Sequence, residues 1–351
     1  MKAVLKTKKE PDIEIHDVPS PILPKYFPSG EVIVQVGACG ICGTDVEIFH
    51  WKDWISRYVE LPRIIGHEVA GTIVEIGKDC GGWRIGDRVV ADTYLGCGGC
   101  FFCRIGRFNL CENRRSLGTA IDGCMAEFVA ISVKNLFPLP ESISFEVGAV
   151  IEPLGVAVHA YEQSGFQPGD SVLILGPGPI GLGILMTAKA AGSTKIFVTG
   201  LGRDEARLKK ARELGADAAI NVEESDLTQR VMQGTRGKGA DVAFVCTGSG
   251  QVLMQAAQLV RKGGTVVVLG LFEAEALFPA SLLVEKELTF KGSWRRDPIS
   301  WYRSIDLVTS GVVPLGKIIS HVIALEEIER GFRAIDEGEA LKVVVSPSSG
   351  G

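Results

Sequence analysis

The sequence predicts an α/β protein in two parts, a β-rich part that carries metal ligands and a doubly wound parallel sheet. Three observations carry this expectation. Cys97, Cys100, Cys103 and Cys111 follow one another as C-x2-C-x2-C-x7-C. Gly176-Pro177-Gly178-Pro179-Ile180-Gly181 forms a G-x-G-x-x-G directly after the apolar run SVLIL. Beyond Pro153, apolar strand-like runs alternate with amphipathic helical stretches, whereas residues 1–150 hold short β-type runs rich in glycine and proline.

The four cysteines come first. Each two-residue spacer lets neighbouring thiolates converge on one ion. Four thiolates complete the tetrahedral shell of Zn²⁺ and leave no open position, so such a site holds structure and does no chemistry. The surrounding loop, LGCGGCFFCRIGRFNLC, has several glycines and little apolar periodicity. A metal can order a lobe whose own core is too small. Iron–sulfur proteins use other spacings, and adjacent C-x2-C pairs make poor disulfides. The expectation is a structural zinc in a lobe over residues 94–115.

A second set of metal-ligand types lies in GACGICGTD, GHEVAG and IEPLG. Cys42, His67, Glu68 and Glu152 supply a thiolate, an imidazole and two carboxylates. This mixture suits a catalytic zinc that keeps one position for water or substrate. The segments are far apart in the chain, so spacing alone does not bring them together. Cys39 reads as a core residue. His16, His50, His159 and His321 read as surface or core histidines, with His159 on a packed helix face after GVAV.

Strand, glycine turn and helix in that order predict a dinucleotide site. The first glycine permits the tight turn, the second admits a pyrophosphate and the third packs helix on strand. The helix start presents unpaired N–H groups to phosphate. Gly176, Gly178, Pro179, Ile180 and Gly181 are therefore candidate cofactor contacts, with Thr247, Leu269 and Leu271 at the ends of later strands. KIFVT, AAINV, DVAFVCTG and TVVVLG read as further strands and alternate with helical stretches, as a parallel sheet covered on both faces requires.

Composition sets the outer limits. A length of 351 residues fits two domains, and 46% hydrophobic content fits a soluble globular enzyme. A net charge of −5 provides no basic stripe for nucleic acid. No apolar run approaches the roughly 18–20 residues of a membrane span, and MKAVLKTKKEPDIEI lacks a secretory core. Nine cysteines without an export signal point to the reducing cytoplasm. The final SPSSGG reads as a loose tail.

GICGTD, GHEVAG, the cysteine lobe, DGCMAEF, IEPLGVAVHA, GPGPIG and VCTG occur here in one order. In that order the chain resembles the zinc-containing medium-chain dehydrogenases/reductases, with the polyol (sorbitol) and threonine dehydrogenase branches nearest. The resemblance covers nearly the whole chain. It implies a GroES-like catalytic domain over 1–152, a Rossmann domain over 153–292, and a return to the catalytic domain over 293–351. It also implies two zinc ions per subunit, one catalytic and one structural, and a homo-oligomer, dimer or homotetramer. The last Rossmann strand, near 265–270, would supply the unpaired edge for assembly.

By the same resemblance, Cys42 and His67 are zinc ligands, Glu68 and Glu152 compete for the remaining positions, and Asp45 orients His67. Thr44 takes the substrate proton. Three residues later the family often carries a relaying histidine, and this chain has Glu47. Two readings stand for Glu47, a replacement relay and a surface carboxylate. Arg295 falls where polyol dehydrogenases place an arginine near substrate, with Arg296 the competitor. An acid that selects NAD is expected near position 200, but the chain reads V-T-G-L-G-R-D. Arg203 would bind a 2′-phosphate and favour NADP; Asp204 is either a displaced acid or a helix cap. Family frequency favours NAD.

The expected activity is hydride transfer between a secondary alcohol, a polyol or sugar alcohol, and the nicotinamide, giving the ketone. Threonine 3-dehydrogenase and small alcohol or butanediol dehydrogenase are the alternatives. A non-enzymatic nucleotide-binding relative is the distant one, and it would be expected to have lost a zinc ligand or the glycine motif.

Overall fold

The computed structural model describes residues 1–272, 275–278 and 280–347. The chain divides into two compact units. One comprises residues 1–152 and the segment from Leu315 onward, the other residues 153–314.

In the first unit, Glu31–Gly40 (EVIVQVGACG) is buried at all but two positions, which suits a strand covered on both faces. It pairs antiparallel with Glu68–Ile76, Gly40 opposite Glu68. On its other side it takes Phe128–Ser132 beside its first half and Val343–Ser346 beside its end. Arg88–Ala91 and Leu136–Pro138 continue the sheet beyond Glu68–Ile76, and His321–Ala324 continues it beyond Val343–Ser346. Glu14–Asp17, Lys2–Lys6 and Arg63–Ile64 form a smaller sheet. The segment at 122–126 runs beside the approach to His67: Gly123, Cys124 and Met125 donate N–H bonds to Ile64, Gly66 and Ile65. Asp122 fastens this segment, accepting from Lys25 Nζ and Tyr26 Oη at 2.9 Å each and from Arg63 at 3.3 Å.

The second unit is a six-stranded parallel sheet. Its strands, in spatial order, are Ala218–Asn221, Lys195–Gly200, Ser171–Leu175, Ala240–Val245, Val260–Val268 and Thr289–Gly292. The order reverses between Ser171–Leu175 and Ala240–Val245, the place where doubly wound sheets bind ligands beyond the strand ends. SVLIL is buried at every position, so both faces are covered. Leu173 and Leu175 share one core with Phe197, Val231, Ala256 and Val266.

Three expectations differ from this structure. Residues 293–314 group with the second unit, not with the returning segment. The Ser293 N–H bonds Val268, the Arg296 chain lies against Gly155, and Ser300 hydrogen bonds Glu162. The sheet edge is Thr289–Gly292, because Val260–Val268 is paired on both sides. TFKG is too short and polar to register as an apolar run. In SPSSGG, Ser346 belongs to a strand paired with Ala324; residues 348–351 lie outside the described residues.

Burial raises the Asp122 carboxyl, but Lys25, Tyr26 and Arg63 outweigh it and hold it below the usual aspartate value. Its stabilisation is therefore complete above the unfolded value of about 3.9 and is lost as pH falls through the lower folded value. Asp122→Asn is expected to lower the melting temperature near neutral pH, with the difference from the parent shrinking below about pH 4. Thermal denaturation over that range checks this; a gap independent of pH contradicts it.

Candidate active site

Strand register assembles the site. Cys42 sits two residues past the end of Glu31–Gly40 and caps the helix Gly43–Phe49. Glu68 opens the partner strand, with His67 just before it. Cys42, His67 and Glu68 offer ligand atoms all within 4.8 Å of one another, a span that zinc bonds of about 2.0–2.3 Å to one central ion bridge. Glu152, 5% exposed on the helix Phe145–Gln163, does not join this trio.

The residues behind the ligands are ordered. Buried Asp45 accepts the Cys42 N–H at 2.9 Å through one oxygen, and its other oxygen faces His67 Nδ1 at 3.4 Å. This leaves His67 Nε2 as the nitrogen for a metal. Sequence reasoning missed two residues. The Thr93 hydroxyl lies 2.8 Å from Glu152 Oε1 and 3.1 Å from the His67 carbonyl oxygen, and its single proton serves one acceptor at a time. Lys342, 2% exposed, donates to Glu68 Oε1 at 2.6 Å and to the Ile41 carbonyl at 2.8 Å. Nothing around Thr93 marks it in sequence; Lys342 carries one signal, a charge abutting the apolar run VVV.

The site attracts positive charge. Burial lowers the tendency of His67 to protonate, yet Asp45 and Cys42 overcome it and lift His67 well above the usual histidine value. Burial likewise opposes the Lys342 ammonium, but Glu68, Cys42 and Glu152 hold it above the usual lysine value. Such a field and donor set fit a divalent zinc. Thr44 and Glu47 are half-buried on Gly43–Phe49.

The four lobe cysteines also place their sulfurs within 4.8 Å of one another. Amide N–H groups of Gly99 and Cys100 bring the Cys97 thiol down to about 6. Burial pushes Cys103 to about 12. Phe101 and Ile105 of this lobe are exposed, as expected of a lobe held by a metal and not by an apolar core. All nine cysteines are free of disulfides.

A third group of ligand types, His159, Glu162 and Asp297, is drawn together in the second unit. It is built as a helix cap and an ion pair. Asp297 accepts the Ser300 N–H at the start of Pro298–Thr309, and Arg303 pairs with Glu162. His159 is buried, as its place after GVAV suggests. Of the two candidate arginines, Arg296 is 2% exposed and its guanidinium lies over Trp301, a structural position. Arg295 is partly exposed, lies over Trp294 and has a left-handed φ of 62°.

The glycine turn has the form its motif predicts. Gly176 has φ 118°, a conformation that favours glycine. A Cβ on Gly178 would meet nothing within 4 Å, so the backbone is open to a ligand. A Cβ on Gly181 would lie 2.0 Å from the Gly176 carbonyl oxygen. Pro179 and Ile180 open the helix Pro179–Ala190. Thr247 follows Ala240–Val245, with its Cγ2 beside Gly176, while Leu269 bonds the Val245 carbonyl and Leu271 is exposed. Asp204 closes the turn before the helix Glu205–Leu214: it accepts the Leu201 N–H at 3.1 Å and pairs with Arg207 at 3.1 Å, with no side-chain bond to the first N–H groups of that helix. Arg203 is exposed.

Residues 28–141 match the family model described as alcohol dehydrogenase GroES-like domain, and residues 179–310 match the one described as zinc-binding dehydrogenase. A sorbitol dehydrogenase from Halalkalibacterium halodurans is 35% identical over 99% of both chains. The chain belongs to the zinc-dependent medium-chain dehydrogenase/reductase family. Within this family it is also similar to an L-threonine 3-dehydrogenase from Chromobacterium violaceum, 32% identical over 98% of this chain and 99% of the relative. The solved structure of 2R,3R-butanediol dehydrogenase from Bacillus subtilis superposes with a TM-score of 0.89 at 32% identity, over 99% of each chain. The protein is a zinc-type dehydrogenase with a GroES-like domain and a Rossmann-like parallel sheet. No helix among the described residues is long and apolar enough to cross a membrane.

The two metal sets separate experimentally. Cys42→Ser is expected to lower turnover about a thousandfold or more, the several kcal/mol a metal Lewis acid supplies, with little change in melting temperature. Cys100→Ser is expected to lower melting temperature and soluble yield. Normal turnover in Cys42→Ser contradicts the catalytic assignment.

Proposed function

We propose that this dehydrogenase oxidises a secondary alcohol bearing neighbouring polar groups, a polyol or sugar alcohol, to the ketone, with a nicotinamide cofactor as hydride acceptor and two zinc ions per subunit. The observation that carries this reading is the cluster of Cys42, His67, Glu68 and Lys342 with the Thr93–Glu152 pair nearby in the same unit. A site for simple alkanols has less use for so many polar groups, because each buried charge needs a partner. Substrate hydroxyls can serve as partners, and a site built around them rejects analogues that lack them. The likeness to sorbitol dehydrogenase points the same way. The likenesses to L-threonine 3-dehydrogenase and butanediol dehydrogenase keep those two substrates as the second reading.

Bound between Cys42, His67 and a carboxylate, zinc supplies Lewis acidity toward the alcohol oxygen and so eases loss of its proton. The chain's own residues do the rest. Asp45 fixes the His67 ring through Nδ1, and Thr93 holds the Glu152 carboxylate. The Thr44 hydroxyl accepts the substrate proton as it gives up its own outward. Glu47, three residues on and on the same helix face, takes the place of a relaying histidine. The turn at 176–181 holds the cofactor pyrophosphate at the start of Pro179–Ala190. We place the enzyme in the cytoplasm as a dimer or tetramer, with Thr289–Gly292 as the pairing edge.

The cofactor has a second reading beside NAD. The Asp204 carboxylate is engaged with Leu201 and Arg207, and Gly200 and Gly202 offer none. Exposed Arg203 stands beside them. This arrangement favours acceptance of the 2′-phosphate of NADP. Arg203→Ala is then expected to reduce kcat/KM for NADP about tenfold, as for loss of one charged hydrogen bond, and to spare NAD. Equal effects on both cofactors remove this reading.

A panel of polyols, threonine, 2,3-butanediol and 2-butanol, followed by nicotinamide absorbance, tests the substrate class. At least one polyol is expected to exceed 2-butanol in kcat/KM by more than about tenfold. A 2-butanol value equal to or above those of all the polyols and threonine overturns the proposal.

A further inference from the structure

The adenosine half of a dinucleotide site needs a group that reads the ribose. In a doubly wound sheet an acid at the end of the second strand accepts the ribose hydroxyls. Here that strand, Lys195–Gly200, ends without one. Gly200 lies against the glycine turn: a Cβ on it would come within 2.9 Å of Pro177 Cγ and 3.0 Å of Asp204 Cβ. Asp204 is already engaged with Leu201 and Arg207.

The neighbouring strand fills the gap. Ala218–Asn221 runs parallel to Lys195–Gly200 with Asn221 opposite Gly200, so the two strands end side by side. The chain beyond Asn221 turns toward that shared end. Val222 donates its N–H to the Gly200 carbonyl at 3.0 Å. Buried Asn221 accepts the Glu223 N–H at 3.1 Å through its side-chain oxygen. Glu223 then reaches across the strand ends, and its Oε2 accepts the Gly202 N–H at 2.6 Å. A Cβ on Gly202 would lie 3.0 Å from that oxygen, so the missing side chain admits the carboxylate. Glu223 is exposed. A carboxylate offers about four lone-pair positions. The Gly202 bond occupies one of them and fixes the group beside the turn.

We propose that Glu223 is the cofactor-selecting acid of this chain: its carboxylate accepts the hydroxyls of the adenosine ribose of NAD and repels the 2′-phosphate of NADP. This inference rests on the dinucleotide reading under Proposed function and names the residue that decides between its two cofactors. The chemistry is one of donors and acceptors. An ionised carboxylate only accepts, so it bonds a ribose hydroxyl and has nothing to give a phosphate oxygen. A phosphate monoester also carries a charge of about −1.5 to −2 near neutral pH. Arg203 has the opposite character, donors only, and stands one residue after Gly202. The turn therefore holds one group of each preference. Glutamine at position 223 would keep an acceptor oxygen for the Gly202 N–H, lose the charge and add a donor.

The experiment is calorimetric titration of zinc-loaded, full-length protein with NAD and with NADP, which needs no alcohol substrate. The parent is expected to bind NAD more tightly. Glu223→Gln is expected to weaken NAD by about tenfold, the scale of one charged hydrogen bond. It is expected to tighten NADP by about fivefold, the scale of one like-charge contact removed at a surface. Titration with 5′-AMP and adenosine 2′,5′-bisphosphate, which carry only the adenosine end, should reproduce both shifts. Glu224→Gln, which removes the next acid along the chain, should leave the ratio of the two dissociation constants within about twofold of the parent. A parent that prefers NADP overturns the proposal, as does a ratio changed by less than about twofold in Glu223→Gln. Equal weakening of both cofactors would mark Glu223 as a structural prop under the turn and also overturns it. The same shift in Glu224→Gln would mark general surface charge and has the same consequence. A parent that binds neither dinucleotide nor 5′-AMP refutes the cofactor site itself, a failure seen before any variant is made and distinct from a working site indifferent to residue 223.

Discussion

The antiparallel register of Glu31–Gly40 against Glu68–Ile76 is the constraint on which the site depends. Side chains alternate along a strand, so a slip of one residue would turn Glu68 to the other face and part His67 from Cys42. Burial on both faces makes such a slip costly. Glu31–Gly40 has Glu68–Ile76 on one side and two strands on the other, Phe128–Ser132 and Val343–Ser346. The residue at the crossing is Gly40, where the missing side chain leaves space for the carboxylate opposite.

Around that register the problem is one of compensating charge in a dry interior. Asp45, His67, Glu68, Glu152 and Lys342 are all buried within the first unit. Several are tied down: Asp45 to the Cys42 backbone, Lys342 to the Ile41 carbonyl and to Glu68, and Glu152 to the Thr93 hydroxyl. Buried charges arranged this way contribute little net stability compared with apolar packing. Their value lies in a preorganised field at the metal, where changes in charge during reaction are felt most.

Legibility followed locality. The cysteine lobe and the glycine turn were readable because their spacing alone determines their geometry, and both folded as read. Cys42, His67 and Glu68 were identifiable by type, but only the strand register shows that they meet. Thr93 and Lys342 escaped because a single threonine or lysine carries no pattern; their roles exist only through partners 59 and 274 residues away. Asp204 had two sequence readings, and its carboxylate turns back to Leu201 and pairs with Arg207 without bonding the N–H groups of the helix that follows. The terminal strand Thr289–Gly292 was missed because four residues, TFKG, fall below what apolar patterning detects.

Lys342 comes from the last strand-bearing segment of the chain, whereas its partner Glu68 comes from the first fifth. The intervening second unit is a continuous stretch, 153–314, able to fold as a block as it is made. The first unit is not continuous. At synthesis rates of about 5–20 residues per second, Glu68 is made roughly fifteen to fifty seconds before its counter-ion. During that interval the half-built sheet lacks Val343–Ser346 beside Gly40 and lacks the ammonium. Until Lys342 is made, Glu68 has no ammonium to face.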